Sequence, residues 1–340
     1  CLRLVSLASI PFSAGEAQAA WQALLVARDL PVETAVNAAY QGLTAGTFAL
    51  MQANTFWARF WPALAGASLA LIPLFWRRRL SPFLTLGLAL ALALDPVLFI
   101  LSRQADSVIF VLAGLVWALS FFIAGKLVGV GVALAVALLG GPWAWAVLLL
   151  LLIALGIAYI INKAALKEFA SPLLNICPLR KSPAKFALSF VLTLLLLSTS
   201  FGLDPAGISG IAGGLSAFLQ EGFLTSQFPA WTPIYRWAAY SMCPIILSVI
   251  ATVHAWMDGA KAKRALSLLT MVLLLGAVLF ANLGTGGLAF VQLPMWILAL
   301  SEIEQLVKSP SDQPRVSLYV FIFSLILCVY LAISLKSFLN

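Results

Sequence analysis

The sequence predicts an all-α fold, a polytopic transmembrane helical bundle of about ten spans. Two observations carry that prediction. Of the 340 residues, 63% are hydrophobic and 9% are charged, whereas a water-facing domain carries about a quarter charged residues. Apolar runs of roughly 20 residues, enough to cross a bilayer at about 1.5 Å of rise each, recur along the chain. These runs are continuous and rich in Leu and Ala, without the alternation that a membrane β-barrel strand requires, so helices are the expected spanning element.

Apolar runs read against their flanks place spans near residues 55–76, 82–101, 107–124, 127–140, 143–162, 186–201, 233–257, 265–282, 287–300 and 316–337. The runs at 127–140 and 287–300 are short and are expected to be tilted, re-entrant or partly buried. Two regions follow: residues 1–54 as an outer-face segment, and residues 55–340 as the transmembrane domain. The latter carries an outer loop at 202–232 and a cytoplasmic loop at 163–185. The chain opens at Cys1 inside an apolar stretch rather than at Met, so preceding residues are expected to have been processed or to be missing; bulky Leu2 and charged Arg3 argue against a lipidated Cys1.

Charge sets the orientation. Arg77, Arg78, Arg79, Lys126, Lys163, Lys167, Arg180, Lys181, Lys185, Lys261, Lys263, Arg264, Lys308 and Arg315 all fall on one side of this arrangement, which the positive-inside rule makes cytoplasmic. Arg3, Arg28, Arg59, Arg103, Arg236 and Lys336 face or approach the other side. Basic loops beside anionic lipid headgroups account for the net charge of +8, and nucleic-acid binding is not expected. Cys1, Cys177, Cys243 and Cys328 lack metal-type spacing, so no metal site is read from them.

Residues 1–54 are too apolar for a solvated loop and are expected to lie along the membrane. Ser13 followed by Glu16 forms a capping-box pattern, and Ala17, Trp21, Leu24 and Leu25 mark one face of an amphipathic helix. A second interfacial helix is expected at about 36–52. Glu16 opens the first of these helices, and Asp106 opens the span at 107 with Arg103 three residues before it. A carboxylate at either place stands where a lipid-linked substrate would meet it, and each also has a purely structural reading, as a helix cap or an ion-pair partner. His254, the single histidine, reads as a cap or an interhelical bond, and the glycines at 207–214 and 284–287 read as turns.

The stretch from Leu2 through Ser13, Gly15, Glu16 and Ala17 is followed by Arg59 and Pro62 entering a span and by Arg77, Arg78 and Arg79 leaving it. Asp95-Pro96 and Ser102-Arg103-Gln104-Ala105-Asp106 come next. Together these resemble the start of a GT-C membrane glycosyltransferase of the protein O-mannosyltransferase and aminoarabinose-transferase branch. The resemblance covers about the first 125 residues, with weaker echoes near Asp204 and Gly207 and in residues 232–237. It implies a GT-C-like bundle in a bacterial cytoplasmic membrane and a polyprenyl-phosphate sugar donor. Catalytic roles fall on Glu16, as general base, and on Asp106, with Arg59, Arg103 and Arg236 as binders of the lipid phosphate. It leaves room for a divalent metal. The family usually has an aspartate, often Asp-Glu, where this chain has Gly15-Glu16, and many members carry a soluble outer domain. The other reading is therefore a non-catalytic GT-C-derived subunit whose partners are other subunits of a larger membrane complex.

Overall fold

The computed structural model describes residues 2–5, 7–9, 11–32, 36–161, 182–223, 231–258, 261–284 and 286–308. Among them there are helices and turns and no strands. In chain order the helices are α1 (Ala14–Ala27), α2 (Ala38–Leu50), α3 (Thr55–Leu69), α4 (Ile72–Trp76), α5 (Pro82–Leu94), α6 (Pro96–Ser102) and α7 (Val108–Ile123). They continue with α8 (Leu127–Leu138), α9 (Pro142–Ile161), α10 (Pro183–Ser198), α11 (Gly210–Glu221), α12 (Trp231–Asp258), α13 (Lys261–Leu279) and α14 (Gly287–Lys308).

The surface is that of a protein solvated by lipid. Leu86, Leu90, Leu152, Leu188 and Leu275 are each more than 60% exposed, an arrangement that hydrocarbon tolerates and water penalises. Stretches 55–76, 142–160, 261–279 and 287–305 are long and apolar enough to cross a membrane, and α5 with α6, bent by 52° at their junction, are so as a pair. That bend has a local cause. Pro96 has no N–H to offer the carbonyl of Leu92, and Asp95 caps the new helix by accepting from the N–H of Leu98 at 2.9 Å.

Helix α8 is 12 residues long, too short to span a core of about 30 Å, as its run predicted. The run at 287–300 behaves differently: α14 continues to Lys308 as a 22-residue helix. Its extra turns pack Ile303 into the core and bury Glu302 against His254, so the polar residues that end the apolar run do not end the helix. The span expected at 316–337 and most of the loop at 163–185 lie outside the described residues. Small residues allow close packing, as where α7 meets α8. A Cβ on Gly114 would stand 2.6 Å from the carbonyl oxygen of Ala133.

The two helices expected within residues 1–54 are present. α1 carries a complete capping box, with Glu16 accepting from the Ser13 N–H and the Glu16 N–H donating to Ser13 Oγ. α2 packs against α1 and α3, and its Tyr40 hydroxyl donates to the carbonyl of Ala58. The loop at 202–232 contains a helix, α11, that the run of glycines at 207–214 had masked as a turn.

Candidate functional site

Glu16 sits at the start of α1, where its capping role fixes the backbone and leaves the carboxylate pointing into the protein at 8% exposure. Arg59, one turn into α3, meets it with a forked guanidinium: Nε donates to Oε1 at 2.9 Å and Nη2 donates to Oε2 at 3.2 Å. A bidentate pair of this kind is directional as well as strong. The remaining donors of Arg59 reach the Leu7 carbonyl at 2.9 Å and the Pro11 carbonyl at 3.2 Å, and its cationic carbon lies 4.9 Å from the Phe12 ring centroid. The pair thus ties Leu7, Pro11 and Phe12 to α1 and α3.

Glu16 makes one more contact that its helix does not require. Its Oε1 accepts from the backbone N–H of Ala105 at 3.0 Å. This bond fixes the turn between α6 and α7, and Asp106 is the next residue. Burial raises the Glu16 pKa, but Arg59 and the N–H groups of Ser13 and Ala105 outweigh it, so the net shift is downward. Glu16 is therefore an ionised and weakly basic carboxylate.

Asp106 is tuned the other way. Burial pushes its pKa up, and the negative charge of Glu16 adds to the rise; the bond from the Ser107 N–H to Oδ1, at 2.6 Å, only partly offsets them. Its position is held on the far side too, because Ser107 Oγ donates to the Gly140 carbonyl at 2.8 Å. Tyr40 lies within electrostatic range of both carboxylates, with burial raising its hydroxyl pKa, so it stays neutral.

The expected site residues fall into three groups. Glu16, Arg59 and the Asp106 turn come together. Arg103 caps the end of α6, with its guanidinium 5.1 Å from the Phe99 ring centroid and the charge of Arg59 nearby. Arg236 belongs to α12, but its side chain lies outside the described residues. Motif reading missed the Ala105 N–H and Tyr40: a backbone donor carries no sequence signal, and an apolar interfacial helix makes a tyrosine look like a membrane anchor. Among the described residues no three His, Cys, Asp or Glu side chains converge. With the Glu16 oxygens taken by N–H donors, this site does not fit a protein-held divalent metal.

Beside the ion pair, a cleft of about 270 Å³ opens between α1, the end of α2 and the start of α3, lined by Ala17, Trp21, Leu24, Phe48 and Ala58 among others. Trp21 at its edge is 57% exposed. The cleft is apolar and starts one residue from each member of the pair.

No family model and no curated protein matches the sequence. The fold does match a solved structure, that of ArnT from Cupriavidus metallidurans bound to undecaprenyl phosphate, with a TM-score of 0.64 and 14% identity. That alignment covers 96% of this chain and 61% of the other, so the chain spans about six-tenths of the length of that neighbour. The same protein in its apo state aligns with a TM-score of 0.42 and 15% identity, over 89% of this chain and 75% of that one. The chain shares the polytopic all-helical fold of that structure, the GT-C fold.

Proposed function

We propose that this protein is a membrane glycosyltransferase that takes a sugar from a polyprenyl-phosphate donor at the outer face of a bacterial cytoplasmic membrane. One observation carries the reading. Two carboxylates with opposite pKa shifts are linked through the Glu16–Ala105 bond, and an open apolar cleft starts at the residue after Glu16. Environments that separate two carboxylates in this way divide their roles. Glu16, saturated with donors, holds the Asp106 turn in register with α3 and acts as a positioning residue. Asp106 takes the proton from the acceptor's hydroxyl or amine as it attacks the sugar carbon, while the polyprenyl phosphate departs with its bonding electrons. General-base help of this kind contributes about 10²-fold to 10⁴-fold.

The cleft receives the first part of the polyprenyl chain in this reading, and Arg103, half-buried and within electrostatic range of Arg59, meets the phosphate with a planar fork of donors. Arg236 is the second phosphate ligand in this reading. Arg59 is committed to Glu16 and acts on the lipid only through its field.

The test is turnover of undecaprenyl-phosphate sugars by the purified protein in lipid, followed by release of undecaprenyl phosphate. Asp106→Asn lowers release by about 10²-fold to 10⁴-fold, and Glu16→Gln lowers it with an altered pH profile. If no sugar is released and stoichiometric partner subunits accompany the native protein, the scaffold reading replaces this one.

A further inference from the structure

The end of the bundle opposite Glu16 carries a second concentration of charge. Helix α4 finishes at Trp76, and Arg77, Arg78 and Arg79 follow it, all exposed. Lys126, also exposed, follows α7 after the turn at Gly125, whose φ of +71° suits glycine. An aromatic cluster joins the two stretches. The Phe75 ring stands edge-on to Trp117 at 4.9 Å and lies 6.2 Å from Phe121, whose carbonyl accepts from the Lys126 N–H at 2.9 Å. Four cations therefore rim a group of rings of which Phe75 is 42% exposed.

Among the described residues no ion pair neutralises these four cations. Between residues 54 and 144 the acids are Asp95 and Asp106, both toward the other end, and Glu302 on α14 is engaged by His254 and Lys263. Trp76, 7% exposed and beside the rim, has an indole N–H with no acceptor, a group that normally finds one.

We propose that the rim formed by Arg77, Arg78, Arg79 and Lys126 over Phe75, Trp117 and Phe121 is a binding site for a phospholipid whose head group carries two phosphates. Guanidinium forks match phosphate oxygens, the exposed aromatic ring receives the upper acyl chain, and four positive charges with no ion-pair partner among the described residues exceed what one phosphate balances. The site is independent of the transferase reaction, so it stands or falls separately from it.

Native mass spectrometry of the full chain in detergent, with cardiolipin, phosphatidylglycerol or phosphatidylcholine added, tests it. Cardiolipin is expected to remain bound under activation that strips phosphatidylglycerol. Removing charges as R77Q, R78Q, R79Q and K126Q lowers cardiolipin occupancy by about 5-fold per charge, whereas Lys261→Gln leaves it unchanged. Because all four side chains are exposed, unchanged helicity and melting temperature are expected for the variants, and Phe75→Ala gives a second, charge-neutral route to the same loss. Equal retention of cardiolipin and phosphatidylglycerol per unit charge overturns the proposal in favour of a bulk surface effect. Wild-type retention by the quadruple variant overturns it outright.

Discussion

Arg3 donates from Nη2 to the carbonyl oxygen of Leu92 at 2.5 Å, and so occupies the acceptor that Pro96 leaves without a helical partner. A weaker contact at 3.4 Å reaches the next carbonyl, Ala93. Asp95 closes the break from the other side by capping α6 and accepting from the Trp296 indole at 2.8 Å. Backbone polar groups at membrane depth must be satisfied from within the protein. The 52° bend between α5 and α6 is therefore stabilised by a side chain from the outer segment.

Replacing Arg3 by methionine keeps an unbranched apolar stem and removes the donor. Leaving one buried carbonyl without a partner costs about 1–3 kcal/mol. The variant should melt at a lower temperature in detergent, as read by thermal unfolding of the intact protein. An unchanged melting temperature would show that the bend holds itself.

The Glu16–Arg59 pair predicts a non-additive cycle. Glu16→Gln leaves a buried guanidinium without its counter-charge, a loss of about 3–5 kcal/mol. Combining it with Arg59→Met should recover much of that stability, because the double variant buries no charge there. Equal losses that simply add would mean that the two side chains do not act as a unit. Transferase activity should stay low in the double variant, since the Ala105 N–H still lacks its carboxylate.

Two carboxylates with opposite shifts give pH dependence of opposite sign. The Glu16 pKa is below its ordinary value near 4.5, so its contribution to stability is complete above that pH and fades as pH falls through the lower folded value. The Asp106 pKa is above its ordinary value near 3.8, so its burial costs stability as pH rises from there through the raised folded value. Acid unfolding followed from pH 6 downward should therefore shift on Arg59→Met. The acidic limb of activity should lie above that of a solvent-exposed aspartate, and it should be missing from whatever residual rate Asp106→Asn retains.

Gly141 has φ of +85°, and a Cβ there would stand 2.2 Å from Asn37 Oδ1. Gly141→Ala should therefore cost about 1–3 kcal/mol through backbone strain and displacement of Asn37 at the start of α2. The neighbouring Gly140 carbonyl holds Ser107, so the substitution should also disturb the Asp106 turn. The check is a fall in kcat larger than that of an equally destabilised variant on the lipid-facing side.

Sequence alone determined that this is a helical membrane protein with two helices ahead of residue 55, because periodicity, apolar length and the Ser13–Glu16 capping pattern are local properties of the chain. It also put Glu16 and Asp106 at helix starts, since those positions follow from where apolar runs begin. Tertiary structure decided what the local signals could not express. Arg59, 43 residues from Glu16, takes both of its oxygens, the Ala105 N–H joins Glu16 to the Asp106 turn across 89 residues, and Arg3 completes a helix it does not belong to. It also carried α14 past Glu302, where burial against His254 outweighs the polarity that ends the apolar run. In each case a buried polar group must find its partner wherever packing brings one, and that partner is set by the fold rather than by its neighbours in sequence.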